Sequence, residues 1–498
     1  MKNNLLFIAF IILFHNLFWQ QEPGLNLVLF TFAAAALHYV QNGFSNFTKL
    51  EALFGICYLV SATSLLLVNS SVSLIVTIIS FTSYFSYLRL RQTSALENFL
   101  NGLYGFIGWR NSILPNPIWV AGARRPAGVL YTRLAIIPIL IFIFYIVMFS
   151  GGNSIFRGWS ETVFGRFLSY FEEISLPYFF FLLLGVFIVR WIFSTKIKTL
   201  FVLSPNSALM RARRKFKISF GNNDLKHEYI MALMLFGSLN VLFAIVNFID
   251  VKWVWFQFYV PAEFSLKEFV HDGVGYLIIT LLISMGLILY FFRKNLNFYP
   301  NNKLLRTLAI VWVVQNGILA VSVVIRTVQY INFHGLASGR IGLMVFLTMV
   351  GFGLITLFIK VSQKKNSAYL LRVNSGFALI LFTLCATVNW DGFIAKVNLN
   401  HEVANEIDVN NYLNLNPQVY PDIFANLDKV ERQIRYHNNN EVRWIRFTDI
   451  GEFKSELISR SEHYLAQREE LSPFDSWSYA DQKAVAELEG IIEEIYKY

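Results

Sequence analysis

Apolar runs of membrane length recur from Leu5 to Trp390, separated by short polar segments. A helix needs about 20 residues to cross about 30 Å of hydrocarbon. On that measure the pattern predicts eleven spans, at 5–19, 25–40, 50–68, 72–88, 133–150, 174–193, 228–250, 272–292, 305–326, 341–361 and 373–390. The first is short and follows only Lys2, as a signal peptide would. No A-x-A cleavage site follows it, however, and QQEPG leads straight into the next apolar run, so it reads as a retained span. The expected fold is all-α: a polytopic transmembrane bundle over residues 1–391, then a soluble helical domain over 392–498.

Three stretches depart from this simple alternation. In SALENFLNGLYGFIG, residues 94–108, Leu96, Phe99, Leu100, Leu103 and Ile107 fall at helical spacing. They predict a helix that either lies on the membrane or packs beneath the bundle. Around residue 265, Ser265 and Glu268 have the capping-box spacing, Phe264 and Phe269 the staple spacing, and Pro261 ends any earlier helix. The helix that starts there either projects two turns beyond the bilayer, with Lys267 and His271 on one face, or breaks at Gly273 and Gly275. Past Trp390, apolar residues recur at three- and four-residue steps within Val419–Arg435, Phe453–Glu470 and Tyr479–Tyr496. Pro417, Pro421 and Pro473 punctuate these helices, and Ser478 with Asp481 forms a capping box.

Composition sharpens the class. Hydrophobic residues make up 55% of the chain and charged residues 15%, which excludes an ordinary soluble domain. The two cysteines, Cys57 and Cys385, lie in apolar runs and offer no disulfide framework. The net charge of +10 orients the protein rather than marking a nucleic-acid binder. With the N-terminus inside, the inner segments hold 25 basic residues and the outer loops six. This is the positive-inside pattern. Residues 392–498 carry 11 basic and 19 acidic residues against 31 and 13 before them, so the tail is a separate acidic domain, expected outside. A basic cluster, RARRKFK, places Arg211, Arg213, Arg214 and Lys215 beside the membrane. It reads either as part of the inner-face bias or as a binding patch for anionic headgroups.

Candidate chemistry collects at the outer ends of spans seven, eight and nine: Asp250, Lys252, Glu263, Lys267, His271, Asp272, Arg326 and Arg340. Charge beside hydrocarbon is costly, so such groups pair or line a wet cavity. A carboxylate beside a histidine suits proton coupling or hydrolysis; an ion-pair clamp, with Asp250 or Asp272 facing Arg326, is the structural alternative. Gln315 and Asn316 lie inside span nine, and Asn240 and Asn247, a heptad apart, share a face of span seven. Such amides bond helix to helix or line a polar path. WVWFQFY at 253–259 reads as an aromatic belt or a lipid-binding platform. No zinc, P-loop, dinucleotide or hydrolase motif occurs, so no metal, cofactor or catalytic residue is expected.

The phrases NFIDVKWVWFQF, VPAEFSLKEFVHDG, LYFFRKNLNFY, VWVVQNGILAVSVVIR, GLASGRIG, NWDGFIAKVNL and DVNNYLNLN resemble a bacterial family of multi-spanning membrane proteins catalogued as domain of unknown function 4173. The resemblance runs from about residue 230 to 425. It implies a many-helix bundle in the bacterial inner membrane, and no activity or partner. Three functions follow as expectations. The first is a non-enzymatic scaffold or sensor of the envelope that meets a protein partner through 392–498. The second is a transporter or lipid flippase with its polar site on spans seven to nine. The third is a membrane enzyme acting on a lipid-linked substrate.

Overall fold

In the computed structural model the described residues are 2–43, 47–107, 176–193, 210, 222–256, 266–292, 295–401, 407–439 and 446–497. Among them the regular structure is helical, with one isolated bridge between Met210 and Lys365. The predicted span at 133–150, the basic cluster at 211–217 and the capping box at Ser265 lie outside the described residues.

The first half forms a helical unit from α1 (Lys2–Phe18), α2 (Leu25–Asn42), α3 (Lys49–Leu67), α4 (Ser71–Leu90), α5 (Ala95–Ile107) and α6 (Leu176–Phe193). Polar residues set where these helices begin. Thr48 accepts a hydrogen bond from Glu51 N at the start of α3, and Ser70 and Ser73 form a reciprocal capping box at the start of α4. Phe14, Phe30, Phe54, Tyr58, Phe85 and Trp191 fill the core of the unit.

The helix α5 packs against α4 and α6. It folds back along α4, close enough that a Cβ on Gly102 would stand 2.6 Å from Thr82 Cγ2. Its polar face is the buried one: Glu97, Asn98 and Asn101 point inward, while Leu96 and Leu103 stay exposed. This inversion suits a helix whose outside is lipid.

The second unit contains α7 (Asn222–Asp250), a five-residue π-turn (Val251–Trp255), α8 (Leu266–Phe291), α9 (Lys303–His334) and α10 (Ser338–Gln363). Helix α8 runs without a break through Gly273 and Gly275. Trp312 stacks edge-on against Phe236 and Phe243 at the core of this unit. Helix α11 (Ser367–Ala386) packs against α10 and also reaches α3, α4 and α5, so it joins the two units. Six helices among the described residues are long and apolar enough to cross a membrane: 49–67, 71–90, 228–250, 303–334, 338–363 and 367–386. Shorter apolar helices run over 5–18, 180–193 and 277–291. The protein is therefore a polytopic helical membrane protein.

The tail comprises α12 (Trp390–Leu399), α13 (Tyr420–Phe424), α14 (Leu427–Asn439), α15 (Ile450–Glu469) and α16 (Tyr479–Lys497). One expected helix, 419–435, is divided at Ala425–Asn426 into α13 and α14; Pro421 sits in the first turn of α13. The tail's own core, built on Ile394, Tyr412, Phe453, Leu457 and Leu488, also takes in Leu336 from the turn between α9 and α10. Asn398 holds that turn through both main-chain groups of Leu336, at 2.7 and 2.8 Å. Gly335 has φ +76 and a Cβ there would lie 2.7 Å from Asn398 Oδ1, so the turn requires glycine twice over.

Candidate functional site

Helices α7 and α9 run side by side in the same direction, and their contact repeats. Asn240 Nδ2 donates to Leu308 O at 3.0 Å, and Asn247 Nδ2 donates to Gln315 O at 3.1 Å. Both bonds join residues 68 apart, so one interaction recurs after one heptad. Gln315 Nε2 completes the ladder by donating to Asn240 Oδ1 at 2.9 Å. In the next heptad Trp255 Nε1 donates to Ser322 Oγ at 2.8 Å, a separation of 67 residues. The change by one follows from the π-turn at 251–255, which inserts one residue into the register.

Asp250 closes α7 immediately before that turn. Its Oδ1 accepts from Arg326 at 2.6 Å, and the two side chains are only 7% and 11% exposed. Of the two carboxylates expected to face Arg326, the structure pairs Asp250. The side chains of Lys267, His271 and Asp272 and the whole of Glu263 lie outside the described residues; the first three stand on the opening turns of α8. Arg340 turns away from this group. It donates to the carbonyls of His334 and Gly335, closing the end of α9, and lies over the Tyr330 ring. Asn316 is fully buried and donates to Trp312 O within its own helix. The expected constellation thus divides into a pair, a ladder and a cap.

Two polar clusters were not foreseen from the sequence. At the far end of the first unit, Glu51 is 2% exposed, pairs with Arg91, and accepts from Tyr39 OH at 2.8 Å; Tyr39 in turn bonds Tyr84. Arg89 beside it donates to the carbonyls of Trp191 and Ile192 and so ends α6. The sole hint in the sequence is an acid just inside an apolar run.

The second cluster joins the tail to the bundle. Asp481 Oδ1 accepts from Gln418 Nε2 at 2.7 Å and from Tyr464 OH at 2.8 Å. Its Oδ2 accepts from Asn69 at 2.5 Å, Ser478 Oγ at 2.6 Å and Arg468 at 2.8 Å. Asn69 lies between α3 and α4, so this carboxylate ties the tail to a membrane loop. Arg468 also reaches Glu22, and Gln21 Oε1 accepts from Ser472 N at 2.8 Å. Backbone joins backbone at Leu25 N to Trp477 O and Asn26 N to Asp475 O. A Cβ on Gly24 would stand 2.8 Å from the Trp477 carbonyl oxygen, which explains the glycine. Burial, and then the negative charge of Asp481, raise the Tyr464 hydroxyl well above the ordinary phenol range, so it stays a donor.

Among the described residues no group of three or more His, Cys, Asp or Glu side chains is placed to hold a metal ion. The chain belongs to the family described as domain of unknown function (DUF4153), which it matches over residues 4–424. This corrects the number 4173 suggested by the resemblance and extends the likeness through the first half. The quoted phrases all come from the second half, where polar and aromatic residues punctuate the apolar runs. The match stops before α14, so Arg468 and Asp481 lie beyond it. No curated protein and no solved structure matches the chain.

Proposed function

We propose that this protein is a non-enzymatic scaffold or sensor of the bacterial envelope, set in the cytoplasmic membrane with its N-terminus inside and residues 392–498 outside. The observation that carries this reading is the clamp at Asp481. It ties the tail to the loop 19–25 and to Asn69, and so gives an acidic helical domain one fixed position on the bundle. Lys49, Arg89, Arg91, Arg190, Lys303, Arg306, Lys364 and Lys365 gather toward the helix ends remote from the tail, which supports the orientation. In that orientation Arg211, Arg213, Arg214 and Lys215 meet anionic headgroups of the inner leaflet. The partner is a protein that docks on the tail.

Affinity purification of the full chain in a mild, lipid-preserving extract tests this. A stoichiometric protein partner is expected, kept in Asp250→Asn and lost when residues 392–498 are deleted. Absence of any protein partner, with a phenotype that follows Asp250 or Arg326 in well-folded protein, would sink the scaffold.

The buried Asp250–Arg326 pair favours a second reading, a transporter or lipid flippase worked from α7 and α9. Flux into proteoliposomes that stops in Asp250→Asn and survives loss of the tail separates it from the first.

A further inference from the structure

We propose that the seam between α9 and α10 binds one anionic phospholipid, its phosphate at Arg306 and one acyl chain in the groove beside it. The groove is a cavity of about 450 Å³ that opens to the surface of the bundle. Val313, Gly317 and Ala320 line it from α9, and Gly351, Ile355 and Phe358 from α10. All six are apolar, and Ile355 and Phe358 are exposed. A Cβ added at Gly317 or Gly351 would meet nothing within 4 Å, so both glycines leave the space open. Both helices are long and apolar enough to cross a membrane, so what meets this face is hydrocarbon.

The groove runs towards positive charge at one end. Arg306, Val313 and Ala320 are a heptad apart on α9 and share a face. On α10, Ser362 lies one turn beyond Phe358 and a heptad beyond Ile355. Arg306 Nη2 donates to Ser362 O, so the same two faces still meet at the helix ends remote from the tail. That bond leaves the half-buried guanidinium without an ion pair among the described residues, and Arg306 Nε and the Ser362 hydroxyl meet no partner there. The exposed Lys303 stands one turn nearer the start of α9. No Asp or Glu occurs from Gly273 to Trp390.

This pattern selects the occupant. An arginine without a carboxylate at a membrane boundary calls for an anion, and phosphate matches the planar guanidinium fork. Val313 lies about 10 Å along α9 from Arg306, so a lipid whose phosphate sits at the arginine can lay an acyl chain in the groove. A zwitterionic lipid offers the same chain but brings a cation to an end that is already basic. A second copy of the chain, related by an axis normal to the membrane, would set two basic ends side by side, and like charge opposes it. The inference does not rest on the scaffold reading, because the orientation of the chain fixes only which leaflet supplies the lipid.

Thermal unfolding of the full-length protein in a neutral detergent tests it, titrated with dioleoyl phosphatidylglycerol and, in parallel, with dioleoyl phosphatidylcholine. A ligand held only by the folded state raises its stability. Phosphatidylglycerol is expected to raise the midpoint by several degrees and to saturate, with phosphatidylcholine falling well short. Arg306→Gln should raise the half-saturating concentration about tenfold, as for the loss of a charged hydrogen bond. Gly317→Leu and Gly351→Leu should weaken binding likewise by filling the groove, whereas Gly237→Leu, in an equally open place on α7, should not. Should Arg306→Gln fail to fold, the two groove variants decide alone. Equal shifts from the two lipids, or a phosphatidylglycerol shift that survives Arg306→Gln or both groove variants, overturn the inference. So does a groove variant that dissociates an oligomer, because the groove then holds a second copy.

Discussion

Two aspartates of this protein are buried to nearly the same degree and each faces an arginine, yet their surroundings differ. Asp481, 6% exposed, meets Arg468 at 2.8 Å and four further donors, so both of its oxygens are engaged. Asp250, 7% exposed, meets Arg326 through Oδ1, while Oδ2 finds no donor among the described residues. The first is a structural junction in which every lone pair has been matched across three segments of chain. The second is a pair set in a membrane helix seam with acceptor capacity left over. Burial and charge pairing are common to both; the number of donors distinguishes them.

Replacing the carboxylate at each place breaks the comparison most severely. Asp481→Ala should destabilise the tail junction by about 3–5 kcal/mol, because Arg468 and the neutral donors are left buried and unmatched. Hydrogen exchange should accelerate together at 19–26, 68–70 and 472–481; unchanged protection there would refute the clamp. At the other site the double change Asp250→Leu with Arg326→Leu should restore part of the stability that Arg326→Ala loses, since Asp250 is then no longer left buried without its charge partner. The same double change at 468 and 481 should restore little, as Tyr464, Gln418 and Asn69 keep their unmet donors. Equal rescue at both sites, measured by thermal unfolding, would erase the distinction.

Smaller perturbations sharpen it. Gly24→Ala puts a methyl against the Trp477 carbonyl and should cost about 1–3 kcal/mol, read as weaker protection of 472–478 alone. Asn240→Ala should cost roughly 0.6–2 kcal/mol, the range for an amide bridging membrane helices. A loss well above that in a folding assay would mean the ladder is more than glue.

The smallest effect concerns Asp391, at the start of α12, whose carboxyl is raised above its ordinary range by burial, with only the Asn416 N–H opposing. A raised acid holds its proton longer in the folded state. Tail stability should therefore fall as pH rises from the ordinary carboxylate range through the raised value, and lie flat below it. Asp391→Asn should remove that slope; a slope unchanged in the variant would assign it elsewhere.

Much of the bundle was legible because lipid imposes one rule on every span, a length of apolar helix. That rule located the apolar spans of α3, α4, α7 and α10 to within a few residues, while α9 runs eight residues past its expected end and α11 starts six residues early. The asparagine heptad on α7 was also readable, since 240 and 247 must share a face. The uninterrupted course of α8 was not, because glycine permits a helix as well as a break, and neighbours decide. The helix α5 was ambiguous for a related reason: its period shows one apolar face and cannot say whether lipid or protein meets it. Only the packing against α4 showed that Glu97, Asn98 and Asn101 face inward.

By itself the sequence determined that this is a polytopic helical membrane protein with an acidic helical tail, because hydrophobic length, period and charge bias are local properties. The tertiary structure decided which polar groups meet. Nothing local links Asn69 to Asp481, or Asp250 to Arg326; they stand 412 and 76 residues apart. Their pairing depends on how helices align in register, on one residue inserted at the π-turn, and on a tail that returns to the loops of the first helices. Those are relations between elements, and they exist only once the elements are packed.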